Sequence, residues 1–505
     1  MRVPNSCLPA AALLWLAGSV FSVSAERPNV CAALNKALPG AVAFPPSEDY
    51  ATSNTYWSER QSEARPLCFV TPKSTADVSK ALKLIMRHRA PFAVKSGGHT
   101  AFRGASNVDG GVTIDLRGLN RISVSRDRKT VSVGPANRWI EVSTVLDPLR
   151  LAAVGGRAAD VGVGGLTLGG GISYFSGRHG WACDNVRAFE IVLASGKVVT
   201  ATASSHADLY RALRGGGGAS FGVVTRLDLA VVEQGDLWTQ SAVYPGAMNA
   251  TLVPLFVDLA LSGLPADPDA HTYFVMTNRP DLGGVIALTS FYHAVPPSPS
   301  SPEDVPATFE PFQDVPNAVF ATSAISNVST LARGIDQAYG QRQTWWDTTV
   351  RIASPDLFLG IVHLFEAHVA RLAAASTPES PVSPFLVFQP VTTNIIEAMQ
   401  KDGGNALGLD PAEGPLMIVQ VNASWEDAAL DELVEQSSGE LVEAVNELAR
   451  RSGLDKGLVY MNYGGKGQDV LRSYGPESYR RLKKVAAKYD PKGILGDLWT
   501  GYFHV

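Results

Sequence analysis

The sequence is poor in cysteine and carries no block of like charges. Its 505 residues include 4 cysteines, and 43 lysines and arginines stand against 48 aspartates and glutamates, a net charge of −5. Without a basic track, a nucleic-acid or anionic-membrane partner is not expected. No apolar run beyond the N-terminus reaches the roughly 20 residues that span a membrane. We therefore expect a globular protein of two or three domains that binds a small molecule, with its oligomeric state left open.

Several nucleotide, metal and hydrolase motifs are missing or incomplete. No glycine run ends in Lys-Ser or Lys-Thr, which excludes a P-loop, and GVGGLT has Thr167 where a dinucleotide fingerprint needs its third glycine. His363 and His368 are five residues apart and form no zinc pattern. The string GASFG matches the nucleophile elbow of serine hydrolases, but a helix precedes Ser220 and a strand follows it, the reverse of the required context. A hydrolase built on Ser220 stays open as an alternative.

The N-terminus is typical of an exported protein. Residues 1–25 combine a basic second residue, an apolar run and a final VSA, which predicts a cleavable signal peptide, with a retained anchor as the alternative. The mature chain would keep three cysteines, and an oxidising route favours a disulfide between Cys31 and Cys68 that leaves Cys183 free. Sequons at three positions agree with export and predict glycosylation: Asn249, Asn327 and Asn422.

Local patterns divide the chain into two α+β parts. From about residue 50 to 235, a helix capped by Ser74, a helix capped by Asn137 and a hairpin turning at Ser195-Gly196 alternate with glycine clusters. From about residue 236, strands, a hairpin turning at 281–284 and long helices follow, and one helix is expected to break near 437–439. The last helix stops before Asp-Pro and is expected to pack on the first part.

Three glycine clusters lie in the first part: SGGHT at 96–100, GVGGLTLGGG at 162–171 and RGGGGASFG at 214–222. Glycine adopts positive φ easily and lets the main chain approach a ligand closely. Tight turns alone explain any one cluster. Three of them in one domain predict a site that surrounds a phosphate or pyrophosphate with N–H donors.

These strings, with PLCFVTPKSTADVSKALKL and the tail YMNYGGKGQDVLRSYGPESYRRLKKVAAKYDPKGIL, carry a family resemblance. They resemble the berberine-bridge-enzyme-like flavoproteins of the vanillyl-alcohol-oxidase and p-cresol-methylhydroxylase superfamily, and most closely the secreted fungal FAD-linked oxidoreductases. The resemblance extends from about Cys31 to the end. It implies an α+β fold with a two-part FAD-binding domain of the p-cresol-methylhydroxylase type, residues 26–235 and 455–505. An antiparallel-sheet substrate domain with covering helices would occupy residues 236–454.

The resemblance also implies FAD bonded to His99. This histidine matches the position where the family joins an imidazole nitrogen to the 8α-methyl of the flavin, a link that makes the flavin a stronger electron acceptor. Relatives with a second tether have a cysteine where this sequence has Ala158, so a single covalent bond is expected. Val161 matches a small residue that admits oxygen to the flavin, with a core valine as the alternative, and Ser220 replaces the usual asparagine. The other implied cofactor positions are Ser96, Gly97, Gly98, Thr100, Gly162, Gly164, Gly165, Gly169, Gly170, Gly171, Gly222, Val224 and Asn462.

For the chemistry, the best candidate base is Tyr463, at the family's Asn-Tyr element beside the flavin. Family members differ in their base, and a structural tyrosine at the domain boundary is the alternative. Gln420 and Trp425 are expected to face the substrate. Strand alternation places Asn422 on the same face as Gln420, so a substrate contact at Gln420 and a glycan on Asn422 exclude each other.

The implied activity is oxidation of a small organic molecule, with hydride passing to the flavin and electrons to O₂. A secondary metabolite is the favoured substrate, and a sugar hydroxyl is the alternative on the same fold. Two alternatives of other classes are the serine hydrolase and a non-catalytic binding protein that retains FAD.

Overall fold

Three β-sheets organise the chain. The computed structural model describes residues 30–335, 338–377 and 379–505, so the predicted signal peptide lies outside the described residues. The first sheet has the order β1-β2-β4-β3, and β4 pairs parallel with both β2 and β3. Its strands are β1 (Val42–Ala43), β2 (Cys68–Val70), β3 (Phe92–Lys95) and β4 (Val112–Asp115).

The second sheet is built around one long strand, β10, which pairs antiparallel with β6, β7 and β8. The predicted hairpin joins β8 to β9, and Gly196 supplies its turn with a φ of +76°. The strands of this sheet are β5 (Ile122–Val124), β6 (Thr130–Val133), β7 (Leu151–Ala153), β8 (Val186–Val192), β9 (Val198–Ala201) and β10 (Val223–Glu233).

The third sheet has seven antiparallel strands in the order β14-β11-β13-β12-β16-β17-β15. The hairpin predicted at 281–284 joins β12 to β13. The strands are β11 (Leu237–Pro245), β12 (Ala270–Arg279), β13 (Gly284–His293), β14 (Phe320–Ser326), β15 (Arg342–Arg351), β16 (Ser383–Val391) and β17 (Leu416–Trp425).

Helices cover the sheets and connect them. In chain order they are α1 (Val30–Ala37), α2 (Glu48–Ser53), α3 (Glu59–Ser62), α4 (Thr75–His88), α5 (Trp139–Leu146), α6 (Val163–Gly169), α7 (Ser176–His179), α8 (Ala207–Leu213), α9 (Asn249–Asp258), α10 (Leu264–Ala266), α11 (Val328–Arg333), α12 (Pro355–Ala375), α13 (Thr393–Ala398), α14 (Asp431–Arg451), α15 (Val470–Ser473), α16 (Pro476–Tyr489) and α17 (Ile494–Leu498). Ser74 caps α4 through the Asp77 main-chain N–H, as predicted.

Two predictions about helices were wrong. The N-cap of α5 is Arg138, because the Asn137 amide instead donates to the Gly134 carbonyl at 2.9 Å. Helix α14 runs unbroken through 437–439, where Ser437 Oγ lies 2.9 Å from His368 Nδ1. Packing against α12 keeps this segment helical despite its low intrinsic propensity.

Two helical segments, Gly246–Ala266 and Pro355–Ala375, are long and apolar enough to cross a membrane. They pack instead on one face of the third sheet, where the Phe256 ring meets Phe274 and the Phe358 ring meets Phe388. Helix α14 covers the rest of that face. The opposite face of the sheet is left free to line a site.

The predicted disulfide between Cys31 and Cys68 is formed and ties α1 to β2, while Cys183 is buried and free.

Burial corrects part of the glycosylation prediction. The residues Asn249 and Asn422 are only 4% and 7% exposed, which leaves no room for a glycan on the folded protein.

Candidate active site

One cavity of about 410 Å³ lies between the glycine clusters and the free face of the third sheet, and we call it the central cavity. Five segments far apart in sequence line it: 96–100, 161–169, 217–224, 460–464 and strands of the third sheet. Most of the predicted site residues meet there: Ser96, Gly97, Gly98, His99, Thr100, Val161, Gly162, Gly164, Gly165, Gly169, Gly222, Val224, Gln420, Asn462 and Tyr463.

The first two glycine clusters touch each other at the cavity. A Cβ atom on Gly97 would lie 2.5 Å from the Gly162 Cα, and one on Gly162 would lie 2.6 Å from the Gly97 Cα. A Cβ atom on Gly165 would meet nothing within 4 Å. Glycine is therefore required at 97 and 162 for the two loops to approach, whereas Gly165 leaves space for a ligand.

Free main-chain donors line one side of the cavity. The N–H groups of Gly98, His99 and Thr100 have no acceptor among the residues that the structure describes. Unpaired amides in folded chains are rare, and consecutive ones form a favourable anion site. These donors fit the pyrophosphate of FAD.

His99 lies at this end of the cavity between aromatic rings. Its imidazole stacks on Trp57 with ring centroids 4.0 Å apart, and the Trp345 ring lies 6.2 Å away. Burial, helped by the nearby Arg138 charge, lowers the His99 pKa to about 3. The ring is therefore neutral at physiological pH. Trp57 and Trp345 were not predicted, because each is distant in sequence from the glycine clusters.

The register of the third sheet sets the opposite wall. On β16, Val387 pairs with Val275 of β12 on one side and with Gln420 of β17 on the other. Two residues along, Asn422 of β17 pairs with Phe385 of β16 and with Trp345 of β15. Gln420 and Asn422 thus share the cavity face, as strand alternation requires.

The prediction that Trp425 faces the substrate was wrong. Trp425 is five residues beyond Gln420, an odd offset that turns its side chain to the other face of β17. There its indole N–H donates to Asp431 at 2.9 Å, and the ring is fully buried.

Tyr463 lies where the cavity meets the third sheet, and its hydroxyl contacts a cation that the sequence analysis missed. Arg157 Nη2 donates to Tyr463 Oη at 3.1 Å. Burial raises the pKa of Tyr463 above the usual phenol value, and the Arg157 charge offsets part of that increase. The Trp345 ring packs edge-on against Tyr463 at 5.4 Å.

Asn462 lines the cavity, and hydrogen bonds within the protein hold its side chain in place. Its Nδ2 donates to Leu166 O at 2.9 Å and to Tyr460 Oη at 2.8 Å, and a Cβ atom on Gly169 would lie 2.1 Å from its Oδ1. The amide nitrogen is therefore occupied by the protein, and Oδ1 is the atom left for a ligand.

Gly170 and Gly171 do not line the cavity, which corrects that prediction. A Cβ atom on Gly170 would lie 2.6 Å from the Trp181 ring, and one on Gly171 would lie 2.6 Å from the Ala182 Cβ. Both glycines form the tight turn after α6, with φ values of +129° and +94°. Their small size serves packing.

Three further residues bear on the alternatives. Ala158 lines the cavity where relatives with a second tether have cysteine, and Cys183 is not part of the lining.

Ser220 Oγ accepts a hydrogen bond from the Val505 main-chain N–H at 3.1 Å. Among the described residues no histidine or acid forms a hydrogen bond with Ser220 Oγ, so that part of the chain supplies no general base for a serine nucleophile.

Comparison with known proteins identifies the cofactor class. Residues 66–202 match the family model described as FAD binding domain. The FAD-dependent monooxygenase tpcD of Cochliobolus heterostrophus is 35% identical over 461 residues, 89% of this chain and 87% of that protein. The FAD-dependent monooxygenase sdcF of Emericella nidulans is 31% identical over 484 residues, 94% and 98% of the two chains.

Solved structures show the same fold at lower identity. The 6-hydroxy-D-nicotine oxidase of Arthrobacter nicotinovorans superposes with a TM-score of 0.74 at 20% identity, over 92% of this chain and 97% of that one. The glucooligosaccharide oxidase of Acremonium strictum, which carries a 6-S-cysteinyl, 8α-N1-histidyl FAD, superposes with a TM-score of 0.74 at 18% identity, over 92% and 98%. The fold is therefore of the vanillyl-alcohol-oxidase type, with an FAD-binding part and an antiparallel sheet covered by helices.

Proposed function

Because this chain belongs to the berberine-bridge-enzyme-like FAD-linked oxidoreductases of the vanillyl-alcohol-oxidase superfamily, we propose that it is a secreted oxidase of a small secondary metabolite. The observation that carries the proposal is that the His99 loop and Tyr463 line the same cavity. Residues 26–235 and 455–505 would hold FAD, and residues 236–454 would hold the substrate. When bound, FAD supplies a two-electron acceptor for substrate hydride and returns those electrons to O₂, giving hydrogen peroxide.

His99 would bond to the flavin. Its imidazole is neutral, so a nitrogen lone pair is available, and stacking on Trp57 fixes the orientation of the ring. The free amides of residues 98–100 would hold the pyrophosphate. Ala158 supports a single tether, because no sulfur stands at the second position.

Tyr463 would contact the substrate oxygen and, for an alcohol, would accept its proton after losing its own phenolic proton to solvent. The N–H of Arg157 donates to the Tyr463 oxygen and would stabilise the phenolate form during that transfer. Gln420 and Asn422 would add polar contacts from the opposite wall. Val161, also in the lining, is the proposed point where oxygen approaches.

A carbohydrate oxidase is the second candidate, because solved neighbours of this fold include the chitooligosaccharide oxidase and the xylooligosaccharide oxidase of Myceliophthora thermophila. The sheet-side lining of this chain includes Val275, Phe385, Val387 and Trp345. Although Gln420 and Asn422 add two polar groups to the same wall, these apolar side chains favour a flat, aromatic ligand over a sugar with many hydroxyls.

The test starts with the spectrum of protein secreted from a eukaryotic host, before and after acid denaturation. We expect yellow colour that stays with the denatured chain and leaves it in His99→Ala. Phenolic and polyketide donors and oligosaccharides are then screened for bleaching under nitrogen and for peroxide release in air. A colourless native protein contradicts the flavin assignment, and colour that no donor bleaches favours the non-catalytic alternative.

A further inference from the structure

The short helix α3 lies between the third sheet and the loop of residues 96–106 that carries His99, which we call the flavin loop. It begins two residues after Trp57, whose ring stacks on His99 with centroids 4.0 Å apart. Residues three positions apart share one side of a helical turn. Two such pairs at α3 contact two different parts of the molecule.

The first pair, Ser58 and Gln61, binds the flavin loop. Gln61 Nε2 donates to Thr100 O at 2.8 Å, and its Oε1 accepts from the Ser106 main-chain N–H at 2.9 Å. Ser58 Oγ donates to Ala101 O at 2.7 Å. Both residues of the pair are fully buried, and the three loop residues all line the central cavity. Gln61 thus joins two separate points of the loop.

These bonds orient the main chain at the cofactor site. The peptide group is planar, so a carbonyl held by a hydrogen bond also fixes the direction of the N–H group beyond it. The bound carbonyls of Thr100 and Ala101 directly follow the amides of residues 98–100, which are proposed to hold the pyrophosphate. A displacement of about 1 Å at such a site can cost about 100-fold in rate.

The second pair, Arg60 and Glu63, binds the third sheet and its covering helix. Arg60 Nη1 donates to the Gln343 carbonyl of β15 at 3.0 Å and forms an ion pair with Glu435 of α14. Glu63 accepts from Arg342 Nη1 at 2.6 Å. The Arg60 and Arg342 side chains are only 13% and 6% exposed, so salt screens these pairs weakly.

Main-chain bonds strengthen the same contact. The Gly340 N–H donates to Trp57 O at 3.3 Å, and the Glu59 N–H donates to Gln341 O at 3.0 Å. The residue that stacks on His99 is therefore tied to the segment that leads into β15.

We propose that Gln61 and Ser58 are positioning residues for the flavin, and that docking of the third sheet on α3 holds them in place. This inference rests on the proposed function, because it concerns how His99 and the loop amides are presented to FAD. The third sheet then acts on the cofactor site through α3, in addition to lining the cavity. A chain with a displaced α3 would keep His99 but present it poorly.

The first experiment replaces Gln61 by groups of similar shape and follows acid-stable attachment of FAD to the full chain. Gln61→Glu has no donor as a carboxylate but regains an O–H donor when it is protonated, and burial favours that form. We expect attachment to slow about 10- to 100-fold at high pH and to recover toward the wild-type rate as the pH falls. Gln61→Met has no donor at any pH and should stay slow.

Gln234→Glu is the matched control, because Gln234 also donates to a main-chain carbonyl, that of Ala294 at 2.7 Å, but does not line the central cavity. It should attach FAD at the wild-type rate at every pH. A wild-type rate in Gln61→Met overturns the positioning role. A loss in Gln61→Glu that acid does not relieve, or an equal loss in Gln234→Glu, overturns it as well.

A second experiment tests the coupling across α3. Arg60→Glu places two carboxylates together at Glu435 and should slow attachment. Adding Glu435→Arg restores an ion pair of reversed sign and should recover part of the rate, although that second change lies in α14. No loss in the single variant, or no recovery in the double variant, overturns the coupling.

Reversible binding separates this inference from the proposed function. In the His99→Ala background, Gln61→Met should weaken FAD binding about 10-fold, measured by flavin fluorescence, because the loop amides hold the pyrophosphate. If this loss is found but the wild type forms no acid-stable flavin, the positioning role stands and the histidyl bond fails. If the wild type bonds FAD and the Gln61 variants match it, the proposed cofactor link stands and the inference fails.

Discussion

His99 should form its bond to FAD at acidic pH almost as fast as at neutral pH. The reacting form of the ring is the neutral imidazole, whose lone pair makes the bond. A histidine with a pKa near 6.5 is only about 3% neutral at about pH 5, so its rate would fall about 30-fold between about pH 7.5 and pH 5. With a pKa of about 3, His99 stays about 99% neutral at about pH 5 and its rate should change little.

The assay uses apoprotein from a flavin-starved host mixed with FAD at the two pH values. Aliquots are acid-precipitated and washed, and the flavin absorbance retained by the pellet is followed with time. His99→Ala provides the zero level, and returning an acid-treated aliquot to neutral pH controls for unfolding. A fall in rate close to the ordinary-histidine value, with full recovery on return, would refute the reasoning from burial.

Three further predictions concern catalysis, the disulfide and acid stability. With an alcohol donor, Tyr463→Phe should lower kcat about 100- to 10,000-fold while flavin stays attached, because the proton acceptor is lost. Stopped-flow bleaching measures this, and unchanged turnover of the alcohol would exclude Tyr463 as the base. Replacing Cys31 and Cys68 by serine opens a loop that spans 37 residues, which should lower the free energy of unfolding by about 4 kcal/mol. Guanidinium denaturation measures this, and a loss below about 1 kcal/mol contradicts the chain-entropy account. Burial lowers the pKa of His368 to about 4. As the pH falls below about 6.5, this histidine takes up a proton in the unfolded chain before it does so in the folded protein. The free energy of unfolding should therefore drop by up to about 3 kcal/mol by about pH 4. His368→Phe should flatten that part of the urea-denaturation pH profile, and an unchanged slope argues against it.

Local patterns predicted the parts of the fold in which short-range rules decide. The Ser74 cap and the two hairpin turns follow from side-chain capping and from glycine at positive φ, and neither depends on distant contacts. The position of Trp425 was also within reach, since an odd offset from Gln420 assigns it to the far face of β17. The unbroken α14 was not, because its continuity depends on packing against α12.

The candidate site divides in the same way. His99 lies within the glycine loop at 96–100, and the loop at 162–171 that touches it is also a glycine cluster, so both are visible as patterns in the sequence. Arg157 gives no periodic signal in GGRAADVG, and its role appears only when β12, β16 and the C-terminal segment bring His271, Gln389 and Tyr463 to it. A polar residue that directly follows paired glycines beside a ligand loop is the one sequence signal that could have marked it.

The cavity lining extends along the chain from Val94 to Tyr502. During translation the His99 loop leaves the ribosome some four hundred residues before the last wall segment, which contributes Trp499 and Tyr502. A chain that ends before residue 499 would therefore lack part of the cavity wall, and we expect it to hold FAD less tightly than the full-length chain. Flavin retained by the purified protein would then indicate that synthesis has passed residue 502 and that folding has closed the cavity.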